Sequence, residues 1–159
     1  MSAPVLPKPA NDELVAVAWA QSVAGIPAGK VARTLPKRES WAGTGFVQIE
    51  AIVGGAPHRD FPLYQPVVQF GCWAARPNSD TRPPWGEAFI LAERLKRACE
   101  PDNQDRSKLL VLPNGFEQVI VQDASVIFGT RRDRLPSPES YAHVLIDIQI
   151  LWTIHTPEV

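Results

Sequence analysis

The sequence offers little sulfur chemistry: Cys72 and Cys99 are its only cysteines, and it has a single methionine in 159 residues. Neither cysteine has a second Cys or a His at metal-ligand spacing, so a zinc-type site has no support. Both read as buried, reduced thiols of a cytosolic protein, and nothing in the pattern supports a disulfide between them. A chain of this length fits one domain and buries roughly 70% of the surface that its unfolded form exposes, so a core needs no cross-link. Excess charge is also lacking. Sixteen Lys and Arg against 17 Asp and Glu give a formal net charge of −1. An autonomous nucleic-acid binder draws most of its affinity from a clear positive excess, so any DNA-facing role is passive, as a channel wall or a plug. No run approaches the ~20 apolar residues of a membrane helix. Met1 to Pro9 contains Lys8 but no apolar core, so no signal peptide is predicted. The expectation is a soluble protein made in the cytosol.

Catalytic motifs are equally scarce. His58-Arg59-Asp60 matches the start of a kinase catalytic loop, but no Asp-Phe-Gly, glycine-rich loop or correctly spaced Asn accompanies it. Gly43-Thr44-Gly45 lacks the spacing of a phosphate-binding loop and precedes a strand, so it reads as a turn. No serine sits in a Gly-x-Ser-x-Gly elbow. Cys72 lies mid-strand among apolar neighbours, where a thiol is inert packing. His58, His143 and His155 show no metal spacing; the last two fall on the polar side of a strand and read as solvated surface. No catalytic residue, cofactor site or metal site is predicted.

Proline, in contrast, is abundant: 16 residues against 10 glycines, gathered at 4–9, 27–36, 57–66, 77–84, 101–113 and 136–138. They punctuate extended loops, and long loops on a compact core usually carry contacts. Asn11 and Asp12 open a first helix, Leu14 to Val23, with Gly25 and Pro27 stopping it. This helix is apolar nearly all round, so it is buried or lies on another subunit. Alternation predicts a strand over 47–53, closed by Gly54-Gly55, and a second over 67–75. Pro83 and Pro84 suit the first turn of a second helix, in which Trp85, Ala88, Ala92, Leu95 and Cys99 form one apolar stripe. Glu87, Glu93, Arg94, Lys96 and Arg97 mark its wet side, acids early and bases late. A third strand, Phe116 to Phe128, alternates imperfectly, as a twisted or bulged strand does. The loop 129–140 is basic and proline-rich, with Arg131, Arg132 and Arg134. Seven apolar residues from Ala142 to Ile154 in strict period-two order make the last strand.

The predicted fold is α+β: a two-layer domain with a mostly antiparallel four-stranded sheet, one helix packed on it, an N-terminal helix and long Pro-rich loops. The first and second strands, and the third and fourth, pair as antiparallel neighbours. Residues 1–10 read as a flexible arm, 11–155 as the single domain and 156–159 as a C-terminal tail. The sheet's other face is polar but carries Trp73, Leu145 and Leu151, and a partly apolar outer face fits a partner. Trp41 and Trp85 stand beside loops; Trp and Arg are frequent interface anchors.

The segment "PVVQFGCWA" leads into the Ala/Leu/Arg-rich helix "WGEAFILAERLKRAC", and "VIFGTRRDRLPSPES" leads into "YAHVLIDIQILW". In this order, after a short N-terminal helix and a strand ending at a glycine turn, the chain resembles the tail-terminator proteins of actinobacteriophages and other long-tailed phages over about residues 11–155. The resemblance implies a non-enzymatic virion protein without cofactor or membrane contact. It implies a hexameric ring at the head-proximal end of the tail tube, assembled in the host cytoplasm. Its partners would be the major tail tube protein and the head-completion (stopper) protein, with DNA passing through the lumen unread. The loops 56–66 and 76–84 and the arginines beyond the third strand are then expected to make subunit contacts, naming Arg59, Asp60, Arg82, Trp85, Arg131, Arg132 and Arg134. Two other readings compete. One is another neck component or a tube subunit, although no hairpin long enough for a tube lumen is visible. The other is a small enzyme or ligand-binding module, which needs convergent polar residues.

Overall fold

The computed structural model describes residues 6–54, 60, 62–77, 82–103, 107–133 and 141–156. Helix α1 spans Asp12–Ser22. Asn11 caps it, its extended backbone letting the side-chain oxygen accept the Leu14 N–H at 3.0 Å, and Asp12 and Glu13 stand at the positive end of the helix dipole. Helix α2 spans Trp85–Ala98 and follows Pro84 directly. Its buried stripe is Ala88, Leu91, Ala92 and Leu95.

Six strands, β1 (Val31–Ala32), β2 (Phe46–Val53), β3 (Val67–Ala74), β4 (Lys108–Leu110), β5 (Val119–Arg132) and β6 (Ala142–Ile154), form one sheet in the order β1-β2-β3-β6-β5-β4. Only β1 runs parallel to its neighbour. The protein is therefore α+β, two helices against a mixed, mostly antiparallel sheet curled into a half-barrel. Both helices fill the concave side. Phe70 of β3 meets Trp19 of α1 with ring centroids 5.8 Å apart, and the stripe of α2 lies over β3, β6 and β5. The curl brings opposite margins of the sheet to the same helix: α1 touches β1 and β2 on one side and β4 on the other. Trp152 Nε1 donates to Asp12 Oδ1 at 2.9 Å, joining the C-terminal end of β6 to the start of α1.

The sheet has six strands where patterning predicts four. The two additional ones, β1 and β4, are two and three residues long, too short to carry a period-two signal. Strand β5 runs past Phe128 to Arg132 through a stretch predicted to be loop. Three register shifts against β6 break its alternation and hide its length. Helix α1 buries Val15, Ala16, Trp19 and Ala20 on its own sheet. Before it, Lys8 N–H donates to Gly115 O at 3.0 Å, and Lys8 O accepts the Glu117 N–H at 2.9 Å. Cys72 and Cys99 are buried thiols, neither of them in a disulfide. Burial pushes the Cys72 thiol far above its ordinary range, with Glu50 adding to it, and pushes Cys99 up to about 12, with Asp123 adding.

Candidate functional site

On the convex side of the sheet, register sets a row of side chains. Phe46 of β2 stands opposite Trp73 of β3, and Trp73 opposite His143 of β6. Asp133, just beyond β5, continues the row, its N–H donating to His143 O at 3.0 Å. The segment between β1 and β2 folds over this row and makes a second, smaller core of Trp41, Phe46 and Ala75, with Trp73 and Tyr141 against it. Trp41 is fully buried. Its Nε1 donates to Pro36 O at 3.0 Å, and it meets Tyr141 edge-on at 5.2 Å.

His143 lies under that cover. Its ring stacks on Trp73 at 3.7 Å and 10°, and the indole Nε1 of Trp73 donates to Gln48 Oε1 at 3.0 Å. Nδ1 of His143 faces Asp133 Oδ2 at 2.9 Å, and Nε2 contacts Glu50 Oε1. Two local irregularities deliver Glu50 to that position. The β2–β3 register shifts between Ile49 and Ala51, so Glu50 is the extra residue of a bulge. Gly71 on β3 leaves the space it enters: a Cβ there would collide with the Glu50 carboxylate and lie 2.8 Å from His143 Nε2. The histidine expected at the solvated surface is 5% exposed instead. Alternation puts it on the correct face, but the cover and the bulged glutamate come from distant segments.

This cluster binds strands together. Both ring nitrogens of His143 contact carboxylates. The neighbouring thiol, Cys72, projects into the opposite, apolar face. No group of three or more His, Cys, Asp or Glu among the described residues could hold a metal ion. The Glu50–His143–Asp133 bridge ties β2, β6 and the end of β5 at the margin where the chain leaves β5.

The structure also sorts the predicted contact residues. Arg131 and Arg132 belong to a strand and not to a loop, so they point to opposite faces. Arg131, on the convex face, pairs with Asp147 at 3.1 Å and stands 5.8 Å from the Phe128 ring. Arg132, on the helix side, lies 4.4 Å over the ring of Trp85 at the start of α2. Trp85 and Arg132 are thus brought together, and Arg131 is separated from them. Asp60 and Arg82 are exposed, and Arg82 O accepts the Arg76 Nε–H at 3.1 Å. Arg59 and Arg134 lie outside the described residues.

Sequence reasoning missed the outer edge of β5. Strand β4 pairs only with Val119–Val121. From Ser125 to Arg132, no described strand pairs with the outer edge of β5. Ile127 and Phe128 stand there 44% and 61% exposed. The unbroken apolar run Val126-Ile127-Phe128 was the signal available in the sequence. No protein-family model matches the chain, and no curated protein is significantly similar to it in sequence.

Proposed function

We propose that this protein is a structural subunit of a virus particle, a tail terminator of a long-tailed bacteriophage that works as a hexameric ring. The observation that carries the proposal is the outer edge of β5 from Ser125 to Arg132, with which no described strand pairs, and where Ile127 and Phe128 stand exposed beside Arg131. An open strand edge presents a row of N–H and C=O groups ready to pair with another chain, and an apolar pair on that edge favours its burial in an assembly.

The mechanism is geometric. A head-to-tail interface closes into a ring when its rotation divides the circle. A ring that matches the tail tube on one side only ends growth by removing the next docking surface. The ring sits in the head-proximal neck of the virion, between the major tail tube protein and the head-completion protein, and DNA passes through it without sequence-specific contact. The Trp85–Arg132 pair and Arg131 are the contact residues we favour, because an aromatic ring and a guanidinium make strong anchors when desolvated together.

The test is reconstitution. The purified protein is added to the polymerising tube protein of the same virus, and tube length is measured by electron microscopy. Growth should stop with a ring of six copies at one end. Tubes that grow equally long with and without it would overturn the proposal.

A further inference from the structure

A cleft of 480 Å³ opens between the C-terminal ends of α1 and α2 and strand β4. We propose that it is a binding site for a small organic anion, a sulfonate, phosphate or carboxylate head on an aromatic or aliphatic body. Its apolar lining comes from Trp19, Val23 and Val121, and its charged lining from Arg94, Arg97 and Lys108. Those are three positive charges on a chain of net charge −1, and no Asp or Glu is among the described lining residues. A cleft lined by one sign of charge over a low-dielectric floor concentrates the field on whatever enters it.

Part of this charge has a structural duty. Helix α1 has no basic residue in its last turn, although its carbonyl end favours a cation. Arg94 supplies one from α2 by donating to Gly25 O, and Lys108 supplies another from β4, donating to Ser22 O at 3.4 Å. Arg97 has no such task. Its carbonyl accepts the Asn103 amide at 3.1 Å, but its guanidinium makes no hydrogen bond or ion pair among the described residues, and the side chain is exposed at the cleft. The nearby Glu100 carboxylate is held by the same Asn103 amide at 3.2 Å. Lys108, with one long bond, keeps donors to spare. The volume lies within the roughly 300–1,000 Å³ of small-molecule sites, which are mostly apolar with a few placed polar groups. A bare inorganic ion would leave the Trp19 floor unfilled, and a neutral hydrocarbon would leave Arg97 unpaired, so the site requires head and body together.

The experiment uses the full chain, labelled with 15N and followed by TROSY spectra during titration with 2-naphthalenesulfonate. Saturable shifts are expected at the Trp19 indole N–H and the Ser22 to Ala24 amides, with Kd below about 1 mM. Neutral 2-naphthol and inorganic phosphate should each bind about tenfold more weakly, and Arg97→Gln should weaken the sulfonate about tenfold, the size of one charge-assisted hydrogen bond. Arg97 is exposed, so an unchanged spectrum of the free variant will confirm that it folds. The proposal is overturned if the shifts map elsewhere, if naphthol binds as tightly as the sulfonate, or if Arg97→Gln leaves the affinity unchanged.

Discussion

His143 is the residue on which the convex face depends. Replacing it with Phe keeps the stack on Trp73 and removes both carboxylate contacts, leaving the partly buried Glu50 and Asp133 without their His143 contact. Breaking one side of a buried polar pair costs several kcal/mol; since both carboxylates keep some solvent, the expected loss is about 2–3 kcal/mol. Gly71→Ala should cost about 1–3 kcal/mol by expelling Glu50 from its place. At about 2–4 °C per kcal/mol for a chain of this size, thermal melts will separate both variants from the parent, and an unshifted melt for either would refute the bridge. The thiols give a second prediction. Their folded-state values are raised, so their contribution to stability is complete below the unfolded thiol value of about 8.5 and is lost as pH climbs above it. Urea midpoints should fall between pH 8 and 10.5, and less so in Cys99→Ala. Ellman's reagent at pH 8 should leave the native protein untouched and react with both thiols in guanidinium. The period-two pattern places His143 on its face, but its burial depends on Trp41, Trp73 and a bulge at Glu50, and strand pairing across that distance cannot be read from one sequence.

Among the elements, α2 and β6 were legible because their apolar positions repeat over three or more turns or a full strand. Strands β1 and β4 were not, since a two- or three-residue strand is defined by its neighbours and not by its own pattern. In β5 the bulges, which the imperfect alternation signalled but which hide the strand's extension to Arg132, also shape it as an edge, re-aiming side chains so that Phe128 shares the convex face with Arg131 and Asp147. On the proposed interface, Phe128→Asp should abolish self-association while changing stability by no more than about 0.5 kcal/mol, as exposed substitutions do. Sedimentation with and without tail tubes will measure this, and assembly that survives the charge would remove β5 from the interface. A double-mutant cycle on Trp85→Ala and Arg132→Ala should give a coupling of about 0.5–1 kcal/mol in the free subunit; zero coupling would mean that the two side chains meet only in passing.

At the scale of the molecule, the antiparallel pairings β2–β3 and β5–β6 follow from chain neighbourhood and were expected from the sequence. The insertion of β6 between β3 and β5, the parallel β1 and the curl around both helices were not, because each depends on contacts between segments far apart in the chain. Native mass spectrometry in the presence of tail tubes should show six copies per ring, and a lone subunit under those conditions would contradict the proposal. The sheet order carries a further consequence for synthesis. Strand β6, the last to leave the ribosome among those described, takes a central position, and its Trp152 reaches back to Asp12 at the start of α1. Until it emerges, the half-sheets β1-β2-β3 and β5-β4 have no strand between them. A nascent chain stalled before Ala142 should therefore remain protease-sensitive throughout, N-terminal helix included, and acquire resistance in a single step on release.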